Sequence, residues 1–205
     1  MSDRDLVRSQ VTDLVVGTRE RAAMVARWTG LLWLLESVDW LVFSGGLDNF
    51  GIHPRELSGL WGILFAPFLH GGFGHLIANT VPFILLGFLT SARKRMDFYV
   101  VAVGSALIGG LGTWLIGGAG TVHIGASGVV FGMLGFLMGR GFFERSLSSI
   151  ALSAVVTFLF GGMIWGVLPT VGAGISWEGH LFGFLGGMLI ARLMGQKIRA
   201  QKQLR

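Results

Sequence analysis

Thr121-Val-His-Ile-Gly-Ala-Ser-Gly-Val-Val-Phe-Gly-Met-Leu-Gly135 sets a serine between two glycines at the start of an otherwise apolar helical run. In water such a hydroxyl is an ordinary cap or packing residue. At the mouth of a membrane helix it is also a candidate nucleophile. The reading of Ser127 therefore turns on whether the chain around it lies in a membrane and whether a base stands at the same depth. Composition answers the first point: 52% of the 205 residues are hydrophobic and only 13% charged, with a mean hydropathy of +0.69, outside the range of soluble domains. The 34 glycines follow no collagen-like period; inside apolar runs they let helix backbones approach where no hydrophobic effect drives association. The absence of cysteine excludes a disulfide framework and a thiolate metal site.

Outward from the serine, the chain divides into six apolar segments, about 28–43, 74–92, 97–117, 125–140, 149–169 and 179–195. A ~30 Å hydrocarbon core needs about 17–25 helical residues, and the shorter fourth segment implies a recessed or unwound upper end. The expectation is an all-α integral membrane protein with one six-helix domain over 28–195. Residues 1–27 are polar, without the pattern of a signal peptide, and read as a cytoplasmic tail. Residues 196–205 read as a basic cytoplasmic tail. The connection 48–73 is too interrupted by Pro54, Pro67 and glycines to span, yet too apolar to be solvated, so it reads as partly membrane-embedded.

Basic residues fix the orientation. With the N-terminus in the cytoplasm, the inner segments hold Arg4, Arg8, Arg19, Arg21, Arg27, Arg93, Lys94, Arg95, Arg140, Arg145, Arg192, Lys197, Arg199, Lys202 and Arg205, leaving only Arg55 outside. That asymmetry fits six spans with both termini cytoplasmic and explains the net charge of +5 without nucleic acid.

Taking the inner charges as a floor and ~1.5 Å rise per residue, Ser127 stands about 20 Å above Arg140, His180 about 18 Å above Arg192 and Asn79 about 21 Å above Arg93. Three helices thus present polar groups at one level, about 10 Å below the outer surface. A serine and histidine meeting there form a nucleophile and general base; each alone is equally a cap or an inter-helix hydrogen bond. His75 and Asn79, spaced i, i+4, share a helix face and can stabilise an oxyanion together with the backbone N–H groups of Ala126 and Ser127, or form a plain polar patch. Phe131, one turn below Ser127, is placed to stack on His180. Gly128, Gly132, Gly135 and Gly139 on the fourth span, and Gly179, Gly183 and Gly187 on the sixth, form facing small-residue stripes. His70 and His75 are a conceivable metal pair, but no acidic residue joins them at ligand spacing and no metal site is expected. Glu36 and Asp39 share a face of the first span, where they serve either a proton relay or hydrogen bonds to the following loop.

Gly125-Ala-Ser-Gly128, His75-x-x-x-Asn79 and His180-Leu-Phe-Gly183 resemble, in order, spacing and helix assignment, the rhomboid intramembrane serine proteases. The resemblance covers residues 28–195. It implies a rhomboid-like bundle with a partly embedded first loop and a Ser–His dyad without a third acidic member: Ser127 as nucleophile, His180 as base, His75 and Asn79 at the oxyanion, with Gly125, Gly128, Phe131 and Gly183 supporting them. It further implies single-span membrane proteins as substrates, no cofactor, and a multi-pass protein of a prokaryotic plasma membrane whose site opens outward. Phe131 stands where many relatives carry tyrosine, and Trp61-Gly62 replaces a frequent Trp-Arg pair. The competing readings are an inactive rhomboid-like binder of transmembrane segments and a small transporter using Glu36 and Asp39.

Overall fold

The computed structural model describes residues 3–170, 172 and 174–204. Within them the chain forms α1 (Asp3–Val38), α2 (Gly62–Phe65), α3 (Phe73–Thr90), α4 (Arg95–Ile116), α5 (Ser127–Glu144), α6 (Leu147–Phe160) and α7 (Trp177–Gln203). A π turn, Asp39–Phe43, extends α1, and a 3₁₀ segment, Gly161–Val167, extends α6. The expected tail at 1–27 is helical from Asp3 and runs without a break into the first apolar segment, so no structural boundary falls at residue 27. Val171 and Ala173, in the loop 170–178, and Arg205 of the basic tail lie outside the described residues.

Among the described residues four helices are long and apolar enough to cross a membrane: Phe73–Thr90, Arg95–Ile116, Leu147–Val167 and Trp177–Gln201. This is fewer than the six expected, and the reason differs for the other two. Helix α5 carries Arg140 and Glu144 in its last turns, and twelve of its eighteen residues are buried. A helix wrapped by other helices need not be lipophilic. The apolar part of α1 is diluted by Glu36 and Asp39, both buried. Asp39 Oδ1 accepts from the Leu47 N–H at 2.9 Å, a bond to the following loop.

Helix α5 forms the axis, packed against α7, α4, α6 and α3. Its contact with α7 is glycine on glycine: a Cβ at Gly183 would run into the Gly128 carbonyl, one at Gly187 into the Gly132 carbonyl, and one at Gly135 into the Phe184 carbonyl. Without a hydrophobic drive between helices in lipid, such close van der Waals approach is what holds them. Leu76, Leu86, Val101, Met133, Leu134, Phe136 and Leu137 fill the core around this seam.

The end of the bundle that carries Arg93, Arg140 and Glu144 is tied by charge. Glu144 accepts from Arg140 Nε at 2.8 Å and from Arg93 at 3.1 Å, and Arg93 also pairs with Asp97 at 2.9 Å. Arg140 is thus held inside an ion cluster rather than facing lipid head groups. At the opposite end, Arg55, the basic residue outside the inner set, donates to the carbonyls of Gly117 (2.7 Å) and Leu115 (3.3 Å), capping the C-terminus of α4.

The 48–73 connection folds as short turns around α2, with Leu57, Trp61, Leu64 and Phe65 exposed. It is pinned to the segment before α5 by an antiparallel bridge, Ile52 N–H to His123 O (2.9 Å) and His123 N–H to Ile52 O (3.0 Å), and by Gly125 N–H to Ala66 O (2.8 Å).

Candidate active site

Ser127 is the first residue of α5 and His180 lies in the first turn of α7, so the glycine seam between those helices sets their separation. His180 Nε2 stands 2.8 Å from Ser127 Oγ, and Nδ1 stands 2.9 Å from the Gly166 carbonyl oxygen. A carbonyl only accepts, so these partners assign the ring proton to Nδ1 and leave the Nε2 lone pair to accept the Ser127 O–H. The ring of Phe131 lies flat against the imidazole, centroids 4.1 Å apart and planes 7° from parallel. His180 is buried and Ser127 half-buried. This arrangement can raise the nucleophilicity of the hydroxyl and store its proton. The orienting acceptor is a main-chain carbonyl, at the position that a carboxylate occupies in a Ser-His-Asp triad. Sequence reasoning missed Gly166, since main-chain groups leave no residue-type signal.

His75 and Asn79 on α3 face the same place. Gly125 has φ +116°, open to glycine and strained for other residues, and a Cβ there would lie 2.7 Å from His75 Cε1 and Nε2 and 3.8 Å from Asn79 Nδ2. Asn79 is buried and spends one amide hydrogen on the His75 carbonyl at 3.2 Å, leaving a second. The Ala126 N–H, expected at the oxyanion, donates instead to His70 Nε2 in a long 3.4 Å bond. The Ser127 N–H, at the first helical position, has no acceptor inside its own helix.

His70 was visible in the sequence only as half of a conceivable metal pair. It is buried, meets His75 edge to face with centroids 5.2 Å apart, and braces the turn before Ser127. Among the described residues no group of three or more His, Asp or Glu side chains converges as a metal site. Beside the site, the Thr121 hydroxyl donates to Gly118 O (2.6 Å), so His123 Nε2–H donates to Thr121 Oγ1 (2.8 Å) and His123 Nδ1 accepts from Ser176 (2.7 Å). Burial keeps the His123 imidazole below its ordinary value, with the Glu178 carboxylate partly opposing. This network joins the α5 approach to the start of α7. Beside Ser127 lies a cavity of about 40 Å³ whose lining includes Thr113, His123, Gly125, Gly128 and Ser176. A water needs about 10–15 Å³ and polar partners, and both are present.

The Rhomboid domain model matches residues 57–197. The chain belongs to the rhomboid family. An uncharacterized protein of Mycobacterium bovis is 42% identical over 188 residues, covering 88% of this chain and 78% of its own length. One of Mycobacterium leprae is 40% identical over 189 residues, covering 87% and 74%. A Bacillus subtilis protein, YdcA, whose name proposes a rhomboid protease, is 30% identical over 173 residues, covering 80% and 86%. Rhomboid membership and the apolar helices make this a multi-pass integral membrane protein and support protease activity.

Proposed function

We propose that this rhomboid is an intramembrane serine endopeptidase that cleaves single-span membrane proteins near the outer face. In this reading α1 and α5 complete six spans, both termini are cytoplasmic, the 48–73 connection is partly embedded, and the site opens outward. An unwound substrate segment presents its carbonyl to Ser127. Ser127 Oγ attacks the carbonyl carbon while His180 Nε2 takes the hydroxyl proton, forming a tetrahedral oxyanion. The His75 ring, the second Asn79 amide hydrogen and the Ser127 N–H are the donors available to that oxygen. Collapse breaks the peptide bond as His180 passes its proton to the leaving amine. A water from the cavity beside Ser127 then attacks the acyl-enzyme, with His180 again as base, and frees the acid and Ser127. No cofactor enters these steps.

The observation that carries this reading is the 2.8 Å Ser127–His180 hydrogen bond in an imidazole whose other nitrogen is already engaged. The test is incubation of the detergent-purified protein with a panel of single-span substrates. The native chain should cleave at least one and Ser127→Ala none, with the bundle still folded; cleavage retained in Ser127→Ala contradicts the assignment. A chain that binds these segments and cleaves none is instead an inactive rhomboid-like binder.

A further inference from the structure

The acceptor that orients His180 belongs to the span least enclosed by the rest of the bundle. Gly166 lies in Gly161–Val167, a seven-residue 3₁₀ segment continuing α6. Runs longer than about 3–4 residues are uncommon, because 3₁₀ hydrogen-bond geometry is poorer than that of the α-helix. Across 147–167 only Ser149 and Val156 are buried, and Phe158 and Trp165 are 87% and 69% exposed. Yet this little-enclosed element is interlocked with the site. A Cβ at Gly166 would lie 2.7 Å from Phe131 Cζ and 3.3 Å from His180 Nδ1, so only glycine brings its carbonyl to the ring edge while Phe131 covers the ring face.

We propose that the Gly166 carbonyl is the positioning group of the His180 base, and that Ser127 is armed only while the outer end of α6 stands against α7. The inference rests on the reading of His180 as general base. When the carbonyl withdraws, the ring proton loses the acceptor that holds it at Nδ1, and a ring protonated at Nε2 cannot accept the Ser127 proton. A substrate that enters by displacing α6 therefore disarms the site until the 3₁₀ segment returns, and the chemical step follows closure. This makes admission and cleavage separate events and protects the acyl-enzyme chemistry from an open site.

The test weakens the carbonyl without altering a side chain. Incorporating the α-hydroxy acid analogue of valine at position 167 makes the Gly166 carbonyl an ester, a poorer acceptor; Gly166→Ala is the second variant, displacing the segment. Protein labelled with ¹⁵N-histidine is studied in bilayers by solid-state NMR, the His180 signals being identified by their loss in His180→Ala. Unchanged His75 and His123 signals certify the fold. The native ring should be protonated at Nδ1, and both variants should show a growing Nε2–H population. Against a cleaved substrate, kcat should fall roughly three- to ten-fold, the worth of one hydrogen bond, with KM within about two-fold. A native ring protonated at Nε2, or an ester variant with native tautomer ratio or native kcat, overturns the proposal. The tautomer is read whether or not anything is cleaved, so a correctly protonated but inert native protein refutes the protease reading alone.

Discussion

Gly183→Ala probes the seam that brings Ser127 and His180 together. The added methyl would meet the Gly128 carbonyl head-on and would lie 2.9 Å from its carbonyl carbon and 3.2 Å from its Cα. Ordinary carbon–carbon contacts are about 3.5–4.0 Å, so α5 and α7 must part by roughly 0.5–1 Å at this level. Gly183 is one turn from His180 and Gly128 is next to Ser127, so most of that displacement appears between the two functional atoms. A 2.8 Å hydrogen bond becomes a gap of roughly 3.5 Å, beyond proton-transfer reach. Overpacking of this kind costs about 1–3 kcal/mol of stability, whereas misplacing a reacting group by about 1 Å lowers rate by around a hundred-fold. The variant should therefore remain folded, with its thermal midpoint in detergent lowered by a few degrees, while cleavage of a transmembrane reporter falls about a hundred-fold. The assay pairs initial cleavage rates with a thermal melt on the same preparation. Native activity in Gly183→Ala would refute the claim that the glycine seam sets the dyad distance; loss of activity only in step with unfolding would refute the geometric argument.

Two further outcomes concern stability. Glu144→Gln leaves Arg140 and Arg93 without their shared carboxylate; breaking one partner of a buried ion cluster costs about 3–5 kcal/mol, so the thermal midpoint should drop by more than that of any single exposed substitution, and an unchanged melt would show the cluster to be dispensable. Asp48, in the connection after α1, has its carboxyl raised from 3.8 to about 6 by burial and then by the neighbouring Asp39 and Glu36 charges. A carboxyl with a raised folded value binds more protons folded than unfolded between about pH 4 and 6, so its contribution is favourable at the acid end and is lost as pH rises through 6. Asp48→Asn should accordingly raise the thermal midpoint at pH 7.5 and raise it much less, by about a third as much, at pH 4.5; an equal shift at both pH values would contradict the electrostatic cause.

Side-chain chemistry at helix depth was readable in the chain itself. Counting residues from the inner charges placed Ser127, His180 and Asn79 on one level, and the structure brings the first two to hydrogen-bonding distance with Asn79 beside Gly125. Phe131 stacks on His180 as its one-turn offset implied. What escaped was carried by main-chain atoms or by tertiary context. The Gly166 carbonyl has no sequence signature, and spacing offered His70 only as half of a conceivable metal pair, because it cannot reveal an acceptor for the Ala126 N–H. Helix α1 runs through residues read as a tail, and its Met24 and Val25 are already buried in the core. The centrality of α5 also explains why hydropathy understates it: its neighbours are helices, and Arg140 finds Glu144.

Ser127 as a nucleophile activated by His180 is the centre of the proposed chemistry. Reaction of the folded protein with a fluorophosphonate, followed by peptide mass mapping, tests that directly. One stoichiometric adduct is expected on Ser127, abolished in Ser127→Ala and slowed about 10²–10⁴-fold in His180→Ala, the range for removing a general base. No adduct on Ser127, or labelling as fast in His180→Ala as in the native chain, would contradict it.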